Sequence, residues 1–397
     1  MQRSLAVLFL AQLISVTGSV SVVQIGGLVG LEIAPRDDLA TLPLSLMVIG
    51  TAIGTLGAAA LMQRIGRRLG FAVGAAIGAT AMLCAGIALQ AGEFVPFCAA
   101  VALFGISLAF TQQFRFAAAE CVDTARAPVA IGWVLFGSIG GALLGPRLIH
   151  WLAAEPISAT ASAVFTSLAG LLGASMLLFL LFFTAPRSHI DASGSSWRSN
   201  TQSLWSRPGF LLAVVAGATS YGVMTLVMTA TPISMHAHQG HSMTVTGWVI
   251  ASHVVAMYLP SLFTGAILTR WGCREVMLAG TVALGSSLIV GLAGQSVGHY
   301  WASLVLLGLG WNFLFVGATT LLTRTYNVAE RFKAQAINDF CVFGASALAS
   351  LLAGGVLHYV GWTWLLVIPL PLLAVVILAL IRNDSAPFAV PASPRGS

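Results

Sequence analysis

Twelve stretches of roughly 20 or more apolar residues run through this chain, near 4–30, 40–62, 69–91, 94–115, 128–153, 160–184, 209–234, 245–268, 275–296, 298–324, 332–358 and 361–381. A helix rises about 1.5 Å per residue, so about 20 residues cross a hydrocarbon core about 30 Å thick. Within lipid every backbone N–H and C=O must be satisfied inside the segment, which makes each stretch a helix. A water-soluble alternative fails on charge: only 8% of the residues are charged and Lys333 is the single lysine, whereas soluble domains carry about 25% charged residues. The expected fold class is an all-α membrane protein with twelve transmembrane helices. The first stretch follows a short basic start, as a secretory signal does. It is too long for one, and no small-residue cleavage site leads into a polar domain, so it reads as a retained helix.

The net charge of +6 has a topological explanation and does not indicate nucleic acid. With the N-terminus cytoplasmic, sixteen of the eighteen Lys and Arg residues fall on the inner side and only Arg36 and Arg147 fall outside. Such a bias orients membrane proteins and places both termini in the cytoplasm. Five cysteines without paired spacing argue against a disulfide framework. Cys121 and Cys273 fall in expected cytoplasmic loops, as late metal ligands or as plain thiols.

The longest polar stretch divides the spans six and six. The expected organisation is an N-terminal six-helix half at 1–185, a cytoplasmic linker at 186–208, a C-terminal six-helix half at 209–383 and a cytoplasmic tail at 384–397. A short pattern recurs after the second span of each half: Arg64, Gly66, Arg67 and Arg68 in the first, Arg270, Gly272 and Arg274 in the second. A recurrence at matching places marks an internal repeat, a known plan for transporters. On these loops the chain resembles the major facilitator superfamily over essentially its whole length. The resemblance implies two pseudo-symmetric halves and a conformational-gating role for the loops; the bland reading makes their arginines topology charges. The family's acidic residue before the first Arg is absent, since Gln63 and Thr269 stand there. Gly137, Gly141 and Gly145, followed by Pro146, look like the superfamily's glycine-proline motif, although close helix packing explains their spacing as well.

Soft ligands concentrate between Met224 and Met257, where nine of the chain's nineteen Met and His residues occupy 34 positions. Met224 and Met228 lie one turn apart on the seventh span, and His253 and Met257 one turn apart on the eighth. With the two spans antiparallel, the pairs match in depth and predict a four-rung ladder between helices adjacent in sequence. Thioether and imidazole are neutral ligands suited to Cu(I). The connecting loop holds Met235, His236, His238, His241 and Met243, an expected periplasmic mouth that collects metal. Taken singly, each Met is more often a core filler. The two pairs resemble those of the CcoA-like copper importers, a bacterial branch of the superfamily that also includes riboflavin importers. That resemblance implies an inner-membrane importer of copper for cbb3-type cytochrome oxidase assembly. Copper is then the transported substrate, a cytoplasmic copper chaperone a partner, and neither a prosthetic group nor an oligomer is required.

The alternative cargo is an organic solute such as riboflavin, for which Trp248, Tyr258, Trp311 and Asn312 supply aromatic surfaces and an amide. Arg115 and Asp339 are expected near cytoplasmic helix ends, where long side chains snorkel cheaply. A receptor or enzyme fits least. No His-Glu-x-x-His and no phosphate loop is present, and the G-x-S-x-G match at 294–298 lacks the strand that motif needs.

Overall fold

The computed structural model describes residues 2–35, 39, 42–152, 157–184, 202–207, 209–327 and 330–382. Most of the expected linker and all of the tail lie outside the described residues, as do Arg36, Arg187, Arg198 and Arg395. The elements in chain order are α1 (Gln2–Ile33), α2 (Leu42–Gln90), α3 (Phe94–Thr111), α4 (Phe114–Glu120), α5 (Ala127–Trp151), α6 (Ile157–Phe182) and α7 (Gln202–Trp205). They continue with α8 (Phe210–Pro232), α9 (Met243–Tyr258), α10 (Ser261–Trp271), α11 (Cys273–Ala293), α12 (Val297–Thr323), α13 (Arg331–Tyr359), α14 (Gly361–Val367) and α15 (Leu370–Arg382).

Among the described residues, eleven helical segments are long and apolar enough to cross a membrane, where the sequence predicts twelve spans. The difference lies in α2. Its 49 residues would extend about 74 Å as one helix, more than twice a hydrocarbon core. The backbone breaks at Gly66, with φ 80° and ψ 166°, so α2 holds the second and third expected spans on either side of one turn. Several other spans are also built from consecutive helices, α3 with α4, α9 with α10, and α14 with α15.

The chain divides into two compact units, one of residues 1–121, 133–187 and 335–347, the other of residues 122–132, 188–334 and 348–397. Each unit therefore combines long stretches of the chain with a short segment drawn from the other end of the sequence. In the first unit α2 packs on α3 and α6, and α1 on α6. In the second, α12 packs against α8, α9 and α11.

Glycines set the closest approaches in the first unit. A Cβ on Gly105 would lie 2.1 Å from the Met47 carbonyl oxygen, and one on Gly50 would lie 2.3 Å from that of Ala102. Both obstacles are backbone and cannot rotate away. Gly105→Ala is therefore expected to destabilise the protein by about 1–3 kcal/mol, read as a lower thermal midpoint in detergent. The glycine-proline segment of α5 packs in the same way: a Cβ on Gly137 or Gly141 would meet the backbone oxygens of Phe9 and Leu13 at 2.8 and 2.6 Å. Close packing on α1 accounts for that spacing.

Candidate functional site

The repeated loops adopt matching backbones. Gly272, between α10 and α11, has φ 98° and ψ 162°, close to the values at Gly66. A positive φ favours glycine at both places, which is why the repeat preserves it. The following arginines also do the same work. Arg68 donates to the Leu180 carbonyl near the end of α6, while Arg274 donates to the Leu380 and Ile381 carbonyls near the end of α15, at 2.7 and 3.0 Å. A cation on the carbonyls of a last helical turn satisfies acceptors that no further turn can reach. Arg64 and Arg270 are exposed.

The symmetry fails at one position. Arg67 is buried where the second loop has Cys273, whose thiol lies 3.1 Å from the Gly317 carbonyl oxygen. The missing loop carboxylate is replaced from another element: Arg67 donates to both Glu120 oxygens, at 2.9 and 2.6 Å, in a bidentate pair. It also donates to Gln113 Oε1 at 3.3 Å and to Gln335 Oε1 at 2.7 Å. Glu120 was not singled out by sequence reading, although an acid closing a long apolar stretch is a visible signal. Beside it, burial and the Glu120 charge push the Cys121 thiol up to about 11, against a smaller lowering by Arg67. Alkylation of Cys121 near neutral pH should run about a hundredfold slower than that of a free thiol and accelerate as pH rises, since only the thiolate reacts. Mass-spectrometric quantification of maleimide labelling across pH checks this.

Arg115 and Asp339 depart from the expectation of snorkelling ends. Both are buried and they pair with each other. Their burial follows from partners that a linear reading cannot supply: Gln113 and Asn338 donate to the same carboxylate, at 2.7 and 3.0 Å.

In the second unit, the predicted ligand ladder meets a packing fact. α8 and α9 make little direct contact, and α12 packs against both. Gly308 of α12 brings the helices close, since a Cβ there would lie 2.6 Å from the His253 carbonyl oxygen. Asn312 donates to the Met257 carbonyl at 2.7 Å and to Ser261 Oγ at 2.6 Å, and accepts from Thr264. His253 is fully buried with Nδ1 2.7 Å from the Leu304 carbonyl oxygen, which can only accept, so Nδ1 carries the proton. Its Nε2 is buried without a partner. Met224 and Met257 are buried and Met228 is half-buried.

The expected mouth is divided. Met235 is fully buried rather than exposed to collect metal, His238 is exposed, and His241 lies 3.2 Å from the Gln295 carbonyl oxygen. The side chains of His236 and Met243 lie outside the described residues. Among the described residues no group of three or more His, Cys, Asp or Glu side chains is placed to hold a metal ion.

The same region gathers aromatic rings. Trp311 of α12 stacks on Phe315 at 5.1 Å between centroids and meets Tyr221 of α8 and Tyr258 of α9 edge-on at 5.3 and 5.6 Å. Trp311 Nε1 is a second buried polar atom without a partner. Trp248 lies elsewhere, exposed and stacked on Trp301.

This helical fold is shared with solved secondary transporters. The structures of the Escherichia coli fucose:proton symporter FucP and the proton:xylose symporter XylE superpose with TM-scores of 0.75 and 0.78, each at 14% identity. The alignments cover 95% of this chain and 97% of FucP, and 96% of this chain and 94% of XylE. The sequence profile of the Major Facilitator Superfamily matches residues 213–397. The riboflavin transporter RfnT of Brucella anthropi is 39% identical over 382 residues, 96% of this chain and 95% of the relative. The MFS-type transporter YdeG of Bacillus subtilis is 27% identical over 385 residues, covering 90% of this chain and 89% of the relative. The chain belongs to the major facilitator superfamily, and it is a multi-pass membrane transporter. These comparisons do not support copper import.

Proposed function

We propose that this transporter carries riboflavin or a closely similar flavin. The observation that carries the reading is the near full-length match to a riboflavin transporter at 39% identity. The chemistry around Trp311 is consistent with it. An isoalloxazine is a flat, polarizable ring system with an apolar edge and an imide edge, and aromatic rings bind such a surface by stacking and edge contacts. His253 Nε2 is an acceptor and Trp311 Nε1 a donor, both without partners, and the imide edge offers a donor beside acceptors. A buried polar atom left unpaired is costly, so such atoms favour a ligand that supplies the missing hydrogen bonds.

A bacterial strain that cannot make riboflavin and lacks its own transporter provides the test. Expression of this chain should restore growth on low external riboflavin and raise uptake of labelled riboflavin. Full membrane expression without either effect would overturn the reading.

One observation favours a metal ion as a second reading. An imidazole that donates its Nδ1–H to a backbone carbonyl and leaves Nε2 bare is oriented as metal-ligating histidines are. Under this reading Met224, Met228, His253 and Met257 remain the proposed Cu(I) ligands, with supply to an oxidase through a copper chaperone as the consequence. Radioactive copper uptake, measured beside riboflavin uptake in the wild type and in Met228→Ala and His253→Ala, separates the two cargoes.

A further inference from the structure

Two guanidinium groups meet the end of α6 in the first unit. Arg3 of α1 lies over the Phe182 ring, 4.7 Å from its centroid, and Arg68 of α2 donates to the Leu180 carbonyl. The start of α1 is fastened to the same place by Ser4, whose hydroxyl donates to the Thr184 carbonyl at 3.0 Å and accepts from its N–H at 3.3 Å. Both arginines are exposed. Among the described residues no carboxylate pairs with either of them, whereas Arg67, Arg115 and Arg207 each have one. Arg3 opens one apolar span and Phe182 closes another, so both stand where hydrocarbon gives way to headgroups. Below them Ala174, Leu177 and Leu181 form an exposed strip along one face of α6.

We propose that this end of α6 binds the phosphate headgroup of an anionic phospholipid, with an acyl chain lying along Ala174, Leu177 and Leu181. A charge that only orients the chain in the membrane needs no fixed geometry, but each of these cations is held against α6. Neither contact exhausts the donors. A guanidinium has five N–H groups; Arg68 spends one on Leu180, and the ring contact of Arg3 spends none. The rest match phosphate oxygens, which arginine binds in pairs. The carbonyl end of α6 opposes an anion, but its dipole amounts to about half an elementary charge against two full positive ones. The cations therefore prevail. Attraction of an anionic lipid to one arginine at the membrane surface corresponds to about fivefold in affinity. A free phosphate ion carries the same charge but gains nothing from the apolar strip. The site joins α1, α2 and α6, and it is independent of which cargo the second unit binds.

Native mass spectrometry of the full-length protein in detergent tests this, with phosphatidylglycerol and phosphatidylcholine of identical acyl chains added in turn. The wild type should retain phosphatidylglycerol with about twentyfold preference, from two arginines at about fivefold each. Arg3→Gln and Arg68→Gln should each lower that preference by about fivefold, and the double variant should abolish it. Arg3→Gln leaves every backbone acceptor satisfied, so it carries the test even where Arg68→Gln folds poorly. Arg126→Gln, an exposed arginine elsewhere, should change nothing. Equal retention of the two lipids by the wild type would overturn the proposal without reference to any variant. So would a preference that survives in the double variant, or displacement of phosphatidylglycerol by inorganic phosphate at equal concentration.

Discussion

Replacing Arg115 with Leu should cost the folded protein about 3–5 kcal/mol, because it leaves the Asp339 carboxylate buried and uncompensated. The pair lies where neither partner reaches water, so solvent screening does not discount the effect. A large penalty for the single change does not mean that the pair is worth as much. Taking two charges out of water cancels most of their attraction, and an apolar pair of similar volume is often neutral. Arg115→Leu combined with Asp339→Leu should therefore recover most of the lost stability. Thermal midpoints of the two single variants and the double variant in one detergent form the cycle. Equal losses in all three would show that the destabilisation comes from packing and not from an orphaned charge.

Trp311→Ala should be the most damaging change in the second unit. The side chain is fully buried and contacts Tyr221, Tyr258 and Phe315. Truncating a buried tryptophan typically costs about 3–5 kcal/mol, from lost transfer free energy and the cavity left behind. Riboflavin uptake should fall to background at the same time. Trp311→Phe separates the two losses. It keeps a ring against Phe315 and removes the Nε1–H, so its folded yield should stay near wild type while riboflavin binding weakens by about tenfold, the value of one hydrogen bond. Wild-type uptake in Trp311→Phe would remove Trp311 Nε1 from the proposed recognition.

Much of the architecture was legible in the linear pattern because lipid imposes it. Spans of a set length and backbone groups that must be satisfied within each segment leave few alternatives. The repeated loop was legible for a similar reason: Gly66 and Gly272 hold a positive φ that favours glycine in both halves. The partner of Arg67 was not. The loop has Gln63 before its first arginine, and the carboxylate that pairs with Arg67 arrives from Glu120, 53 residues away.

The candidate site divides along the same line. Period and spacing marked Met224, Met228, His253 and Met257, since one helical turn is a local property. Spacing does not say which helix stands opposite, and sequence adjacency suggested α8 against α9. The fold packs α12 against both, and with it come Trp311, Asn312 and the Leu304 carbonyl that sets the His253 tautomer. The sequence by itself determined a membrane-embedded, internally repeated helical chain, because apolar length and glycine placement act locally. Only the tertiary structure decided that Arg115 and Asp339, 224 residues apart, are buried against each other. The worth of a buried charge depends on what faces it, and that is a property of packing.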